Sequence, residues 1–224
     1  MTNPENNRVV LLAGASGLTG GQLLQLLLND PGVICIHALS RKPLRVSHPK
    51  LQVHLVDFRS LPQLPHADEA YLALGTTIKV AGSKEAFRAV DFDANLAVAQ
   101  AAIRAGVSRI GLVSASGASV RSSMFYTRVK GELEDALRAL PLTTLVIARP
   151  SLLLDYRSGL GQPVRLGEII SIPVAKLLSP VLPGPYKPVR ALAVARSLTQ
   201  KVPVTKGVVV LSSDQLIKLG TQSE

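Results

Sequence analysis

A glycine-rich segment near the N-terminus, GASGLTGG at residues 14–21, constrains the fold of this chain more than any other feature. It directly follows the strand-like run RVVLLA (8–13) and opens an apolar helical run that contains LLQLLL. The spacing Gly14-x-x-Gly17-x-x-Gly20 permits a tight turn, a close approach of the backbone to a diphosphate, and close contact between helix and sheet. Such a strand–loop–helix unit is typical of a parallel sheet with crossover helices.

The same alternation continues through the first 150 residues. We therefore predict an α/β fold, a Rossmann-type doubly wound parallel sheet with helices on both faces. Strand-like runs rich in β-branched and apolar residues come at 8–13, 33–39, 51–57, 69–74, 109–114 and 143–149. Helical patterns lie between them at 18–29, 84–105 and 123–140.

The texture of the chain changes after Pro150, where Pro and Gly become frequent. We predict a single NAD(P)-binding domain over residues 1–224, in which residues 8–150 form the dinucleotide-binding core. Residues 151–206 are expected to be a small, irregular segment on the substrate side, and residues 207–219 a final strand and helix. Within the irregular segment, short helices are predicted near 167–179 and 190–201.

Composition and the N-terminal sequence exclude several classes of protein. Although 47% of the residues are hydrophobic and the mean hydropathy is +0.29, no uninterrupted apolar stretch approaches the roughly 18 residues of a spanning helix. The opening MTNPENNRVVLL lacks the layout of a signal peptide. The single cysteine, Cys35, cannot form an internal disulfide, which agrees with a reducing compartment. We therefore expect a cytoplasmic protein that does not enter a membrane.

The net charge of +10 and the pI near 10.1 favour anionic partners. The cations are spread singly, however, and only Arg41 and Lys42 are adjacent. Aromatic residues make up 4% of the chain, so the stacking platforms of single-strand binders are scarce. This distribution favours an anionic small molecule over nucleic acid.

The glycine-rich loop predicts a dinucleotide site, because backbone N–H groups at a helix start bind a diphosphate with help from the helix dipole. The alternative is a plain glycine-rich turn. A P-loop would require Gly-Lys-Ser/Thr at its end, and Gly20-Gly21-Gln22 does not supply it. The predicted binding residues of the loop are Gly14, Ala15, Ser16, Gly17, Leu18, Thr19 and Gly20.

The end of the second predicted strand indicates which dinucleotide is bound. It reads Ser40-Arg41-Lys42, where an NAD-selective site usually has an acidic residue for the ribose hydroxyls. A guanidinium suits a 2′-phosphate, so NADP(H) is favoured over NAD(H), with a solvated basic loop as the alternative. Asp57 and Phe58, after the third strand, are assigned to the adenine end, although a turn-forming Asp57 fits equally well.

The motif YTRVK places Tyr126 and Lys130 four residues apart, and therefore on one face of the third predicted helix. The fifth strand ends in LVSASGA, which brings Ser114 and Ser116 to the same sheet edge as the glycine loop. A Tyr, a Lys and a Ser that converge there suit carbonyl reduction: Tyr gives the proton, Lys favours its release, and Ser steadies the alkoxide. Strand alternation sends both serines the same way, so either one fits. A half-buried core Tyr126 and a surface Lys130 are the alternative.

GASGLTG, LVSASGA, YTRVK and the sequence RPS at 149–151 resemble the short-chain dehydrogenase/reductase superfamily, in its atypical branch. The longer strings LALGTTIKVAGSKEAF and SASGASVRSSMFYTRVKGELE are similar to the Tat-interacting-protein-like group of NADPH-binding, reductase-like proteins. The resemblance implies a Rossmann fold, NADP(H) as ligand and an active-site pair of Tyr126 and Lys130. It also implies a cleft lined by Leu74, Gly75, Thr76 and Thr77, with Arg149, Pro150 and Ser151 near the nicotinamide.

The chain departs from the superfamily pattern after the fourth strand. Related enzymes often have Asn in the following helix, whereas this chain has Asp91, with Asn95 one turn later. Either residue fits a structural role or a proton relay.

Two functions follow from these features. The first is an NADP(H)-dependent oxidoreductase that acts on a small carbonyl or alcohol, and the short segment after Pro150 argues against a bulky sugar-nucleotide substrate. The alternative is an NADPH-binding regulatory or sensor protein that interacts with a protein partner without turnover. The sequence leaves the substrate and a homodimer open. No metal site is predicted, because His37, His48, His54 and His66 lack paired ligand spacing.

Overall fold

A computed structural model of the chain describes residues 7–154 and 187–221. In this part of the chain one fully parallel sheet has the strand order β3-β2-β1-β4-β5-β6-β7. The strands are β1 Arg8–Ala13, β2 Val33–Ser40, β3 Leu51–Leu55, β4 Glu69–Leu72, β5 Arg109–Val113, β6 Thr144–Arg149 and β7 Gly207–Ser212. The order runs outward from β1 on one side and β4 on the other, which confirms the predicted doubly wound Rossmann topology.

The helices of the described ranges pack on both faces of this sheet. They are α1 Leu18–Asn29, α2 Ile78–Ala81, α3 Lys84–Arg88, a π-helical segment Ala89–Ala94, α4 Asn95–Arg104, α5 Phe125–Arg138, α6 Ala191–Lys201 and α7 Ser213–Thr221. The helix predicted at 167–179 lies outside the described residues. None of the helices seen here combines the length and apolar character needed to cross a membrane. The assignment of residues 1–224 to one domain stays a prediction.

Strict alternation along the strands builds two apolar layers. In β1, Val10 and Leu12 join one buried cluster with α1, α6 and α7, whereas Leu11 and Ala13 join the other with α4 and α5. All four side chains are at most 1% exposed. Because both faces of a parallel sheet are covered, its strands are near-continuous apolar runs, as the sequence shows.

The stretch predicted as one helix over 84–105 is divided into three parts. The π-helical segment interrupts it, and the Asn95 side-chain amide donates to the carbonyls of Val90 at 3.2 Å and Asp91 at 3.1 Å. The same amide donates to the Leu74 carbonyl at 3.2 Å, beyond the end of β4. A buried polar side chain thus holds the wide turn and ties it to the sheet edge. Residues 84–105 contain no Gly or Pro, so nothing in this stretch of sequence signals the interruption.

A buried carboxylate lies at the opposite, N-terminal edge of the sheet. Glu69 begins β4 with no solvent exposure, and its Oε1 accepts from Arg8 Nη1 at 2.7 Å and from the Tyr71 hydroxyl at 3.2 Å. Its Oε2 has no hydrogen-bond partner among the described residues. Burial raises the pKa of the Glu69 carboxyl above its ordinary value of 4.5, although Arg8 opposes this shift.

The raised pKa makes the contribution of Glu69 to stability pH-dependent. A carboxyl with a raised pKa in the folded state stabilises the fold most below its ordinary value, and this contribution is lost as the pH rises through the folded-state value. We expect Glu69→Gln to remove that loss, so the difference in Tm between wild type and variant should change between about pH 4 and pH 7 in favour of the variant. Thermal melts followed by circular dichroism over this range test the point. A constant difference in Tm would contradict it.

The glycine-rich loop brings α1 unusually close to the end of β1. A Cβ atom on Gly20 would lie 1.9 Å from the carbonyl oxygen of Gly14. Gly14 has φ of 96°, and a Cβ there would lie 2.4 Å from the Ala73 carbonyl oxygen. Neither position accepts a side chain, because the obstructing atoms belong to the backbone and cannot rotate away.

Gly20→Ala is therefore expected to destabilise the fold. Overpacking a core site costs about 1–3 kcal/mol, and each kcal/mol lowers Tm by roughly 2–4 °C in a chain of this size. Gly21→Ala, one residue further along α1 at a half-buried position, is the matched control, since alanine favours the helix. Equal melting temperatures for the two variants would show that the close contact is unimportant.

Candidate active site

A cleft of about 210 Å³ lies at the C-terminal edge of the sheet, where β1, β4, β5 and β6 end. Ligands bind at this edge in open α/β sheets, at the point where the strand order reverses. The cleft is lined by the start of α1, the loop after β4, the ends of β5 and β6, and one face of α5. The predicted residues that line it are Gly17, Leu18, Thr19, Leu74, Gly75, Thr76, Thr77, Ser114, Tyr126, Lys130, Pro150 and Ser151. Asp91, which the sequence left open together with Asn95, also lines it, and the residues not predicted there are Ala73, Val113, Ala115 and Leu153.

The start of α1 fits the diphosphate of a dinucleotide. Gly17 is the N-cap residue, its backbone is extended, and no side chain caps the first turn. That turn also carries no acidic residue. The N–H groups of a first helical turn have no partners within the helix, and they carry the positive end of the dipole. A Cβ on Gly17 would lie 3.2 Å from the Gly14 carbonyl oxygen, so a side chain at this position would crowd the loop.

Other loop residues shape this site from behind. Gly14 and Gly20 form the close contact described above, Ala15 is buried, and Ser16 is exposed. The loop after β4 forms the facing wall, where Thr77 caps α2 by accepting from the Val80 N–H at 3.2 Å. The glycine-rich loop and the loop after β4 therefore lie on opposite sides of the cleft, and local contacts hold the backbone of each.

Tyr126 and Lys130 enter this cleft from successive turns of α5. Tyr126 is 36% exposed as a residue, and its ring packs against Phe87 with centroids 5.4 Å apart. The Lys130 side chain is 5% exposed. Tyr126 and Lys130 therefore line one cleft, as predicted. The alternative, in which Lys130 lies on the surface, is wrong because its side chain is buried. Their catalytic roles stay a prediction.

Asp91 holds the ammonium group of Lys130. Its Oδ1 lies 2.7 Å from Lys130 Nζ, and its Oδ2 accepts from the Thr76 N–H at 2.9 Å. The Asp91 side chain is 1% exposed. Burial disfavours the charged form of Lys130, but Asp91, together with Tyr126 and Glu134, outweighs it, so the pKa of Lys130 is raised. Of the two residues left open by the sequence, Asp91 reaches the cleft and Asn95 holds the π-helical segment.

The two predicted serines take different positions. Ser114 lines the cleft, and its hydroxyl donates to Glu134 Oε1 at 2.6 Å. Ser116 is absent from the cleft lining among the described residues, and its N–H donates to the Pro150 carbonyl at 2.8 Å. β5 ends at Val113, and a turn with Gly117 at φ 75° follows. Of the two serines that the sequence left open, Ser114 is therefore the one that lines the cleft in the described part of the chain.

Arg149 pairs with a carboxylate that sequence reasoning missed. Its Nε and Nη2 lie 3.0 and 2.5 Å from the two oxygens of Glu134, and this hydrogen bonding raises the pKa of Arg149. Arg149 thus binds Glu134, and it is not among the described residues that line the cleft. The signal for Glu134 was its spacing, since it follows Lys130 by four residues on α5. Ser151 lines the cleft, and its hydroxyl donates to the Lys187 carbonyl at 2.6 Å.

The residues assigned to the adenosine end lie beyond this lining. The Ser40 hydroxyl donates to the Lys42 carbonyl at 2.7 Å, and this turn leaves the side chains of Arg41 and Lys42 exposed. Asp57 forms a local turn, in which it accepts from the Arg59 N–H at 3.0 Å. Phe58 packs in the hydrophobic cluster that contains Leu39. The structure therefore places Asp57 as a turn residue and Phe58 in the core.

Comparison with known proteins places this geometry in a family. Residues 14–171 match the model of a family described as NAD(P)H-binding. The chain is 36% identical over 158 residues to Protein fmp52, mitochondrial, from Emericella nidulans. That match covers 66% of this chain and 68% of the relative.

Solved structures share the fold at low sequence identity. The enzyme WbmF from Bordetella bronchiseptica, in complex with NAD+, matches with a TM-score of 0.64 and 16% identity over 97% of this chain and 80% of that one. A short chain dehydrogenase family protein from Francisella tularensis matches with a TM-score of 0.66 and 11% identity, over 93% of this chain and 98% of that one. These likenesses show the fold.

The expected cytoplasmic location requires correction. The fungal relatives are named as mitochondrial proteins, which contradicts that expectation. The expectation rested on hydropathy, the N-terminal layout and one cysteine, and these features do not determine the compartment of a folded chain. The family match, by contrast, spans the glycine loop, the cleft and α5. The chain belongs to the NAD(P)H-binding family.

Proposed function

We propose that this protein is an NADP(H)-dependent oxidoreductase that acts on a small carbonyl or alcohol. The observation that carries the proposal is the sharing of one cleft by Tyr126, Lys130 and the uncapped start of α1. Tyr126 is an exposed residue of the cleft lining and so is accessible to a bound molecule, while the buried ammonium group of Lys130 provides a positive charge in the same cleft. This arrangement suits a reaction in which a carbonyl oxygen gains negative charge and a proton together.

Each side chain has a distinct role in this reaction. The nicotinamide, when bound, supplies or accepts the hydride. The Tyr126 hydroxyl donates its proton to the carbonyl oxygen, or takes it back from the alcohol. Lys130 Nζ stabilises the charge that remains on the phenol oxygen. The Ser114 hydroxyl proton is directed at Glu134, so Ser114 Oγ presents acceptor lone pairs to the cleft and orients a substrate hydroxyl.

Tyr126→Phe tests the role of the phenol. Loss of a general acid costs about 10²–10⁴-fold in rate, so we expect kcat to fall by that factor with NADPH affinity retained. Turnover is measured with NADPH over a panel of small aldehydes and ketones. Tyr71→Phe is the matched control, because Tyr71 is fully buried and its hydroxyl donates to Glu69 at the opposite sheet edge. Equal turnover in wild type and Tyr126→Phe would contradict the proposed role.

The preference for NADP(H) is proposed from the end of β2. Arg41 and Lys42 are exposed there, and the turn that presents them is fixed by the Ser40 hydroxyl. The segment Ser40-Arg41-Lys42 contains no acidic residue for ribose hydroxyls. A guanidinium and an ammonium at this position favour the additional 2′-phosphate.

The Arg41→Ala/Lys42→Ala double variant is expected to weaken NADPH binding by about 10-fold or more and to leave NADH binding unchanged, because each charged hydrogen bond contributes roughly 1.5–3 kcal/mol. Affinities for both dinucleotides are measured by fluorescence titration. Arg45→Ala, an exposed cation in the same loop, is the control. A uniform loss of affinity for both dinucleotides would reject selectivity at this site.

A second candidate function is an NADPH-binding sensor without turnover. One observation favours it: the Lys130 ammonium and the Ser114 hydroxyl are both held by buried carboxylates, of Asp91 and Glu134. In that case NADPH binds tightly, no carbonyl is reduced, and binding to a protein partner changes with the cofactor. The turnover panel above separates the two functions.

A further inference from the structure

The ion pair of Asp91 and Lys130 is almost fully enclosed. Their side chains are 1% and 5% exposed, and the two charged atoms lie 2.7 Å apart. A Cβ on Gly75 would lie 3.5 Å from Asp91 Oδ1 and 3.9 Å from Lys130 Nζ, so the backbone of the β4–α2 loop closes over the pair. The other carboxylate oxygen of Asp91 is occupied by the Thr76 N–H. Both oxygens of the Asp91 carboxylate are therefore engaged, one by Lys130 and one by the backbone.

Asp91 affects Lys130 and Tyr126 together. Without a neighbouring anion, burial would favour loss of the proton from the Lys130 ammonium. A lone ammonium group that kept its proton would instead favour ionisation of the nearby phenol. A carboxylate in contact with the ammonium counters both effects, because it stabilises the proton on Lys130 and reduces the net positive charge that Tyr126 experiences.

The other charged groups around α5 are of two kinds. Arg128 and Lys84 lie over the Phe125 ring, 5.7 and 5.5 Å from its centroid, and others form ion pairs. Glu134, one turn beyond Lys130, binds Arg149 from β6 and lies 3.6 Å from Arg138. On the π-helical side, Arg88 pairs with Glu132. Glu134 also raises the pKa of Lys130, but less than Asp91 does. Asp91 is therefore the carboxylate with the largest influence on Lys130.

We propose that Asp91 is a positioning residue that keeps both protons on the Tyr126–Lys130 pair, and so presents Tyr126 as a proton donor suited to carbonyl reduction. The direction of reaction rests on the function proposed above. The protonation of the pair does not, since it follows from contacts within the chain. Because the two side chains share one cleft, the effect of Asp91 is sought in both groups.

Asp91→Asn tests the proposal without any need for turnover. Phenolate absorbance reports on Tyr126, with Tyr126→Phe to assign it, and the side-chain NMR signal of Lys130 is assigned with Lys130→Met. In Asp91→Asn we expect the first proton to be lost, from Tyr126 or from Lys130, at a pH about one unit or more lower than in the wild-type protein. Asp93→Asn is the matched control, since Asp93 is an exposed carboxylate in the same π-helical segment. Identical titrations of Asp91→Asn and wild type would overturn the proposal.

If Asp91→Asn does not fold, the proposal is tested by titrating Lys130 in the wild-type protein. The Lys130 signal is then expected to titrate at higher pH than the signals of exposed lysines, despite its burial. Titration at or below the exposed lysines would overturn the proposal. Where turnover is found, Asp91→Asn should raise the ratio of alcohol oxidation to carbonyl reduction at neutral pH. A shifted titration with no turnover in wild type would remove the oxidoreductase function and leave the protonation of the pair intact.

Discussion

The contact between Gly20 and the Gly14 carbonyl is the constraint on which the rest of the site depends. Because a Cβ at Gly20 would lie only 1.9 Å from that oxygen, α1 packs against the end of β1 as closely as two backbones can. This approach fixes where α1 begins, and therefore where its unpaired N–H groups point. The facing wall is tied to the same turn, since Gly14 also abuts the Ala73 carbonyl. Both sides of the cleft thus derive from backbone packing.

The chemistry of the cleft depends on α5. Tyr126, Lys130 and Glu134 lie at successive four-residue steps, so one helical stripe supplies a phenol, an ammonium and a carboxylate. Burying the last two would be costly without partners. Asp91 and Arg149 provide those partners from the π-helical segment and β6. The stripe is therefore held by charge pairing with two other elements as well as by apolar packing.

Alternating runs and glycine spacing were sufficient to predict the sheet, its crossover helices and the cleft, because apolar periodicity and loop sterics are local properties. Three features were not accessible in this way. The π-helical segment depends on a tertiary bond from Asn95 to Leu74. The choice of Ser114 over Ser116 depends on the three-dimensional lining of the cleft. The spacing of Glu134 on α5 indicates its helix face, but its pairing with Arg149 depends on how α5 packs against β6. The cytoplasmic location was predicted wrongly, since hydropathy and cysteine content do not determine the compartment to which a protein is sent.

The π-helical segment also changes the phase of the polypeptide that passes through it. A wide turn adds one residue, equivalent to about 100° of rotation, to an otherwise α-helical path. On one side of it, Phe87 contacts Tyr126, and within it Asp91 reaches Lys130; on the other side, Val98 and Ala102 pack in the core. A continuous α-helix could not satisfy both sets of contacts. The extra residue therefore lets one continuous stretch of chain turn one face to the reactive cleft before the wide turn and a different face to the hydrophobic core after it.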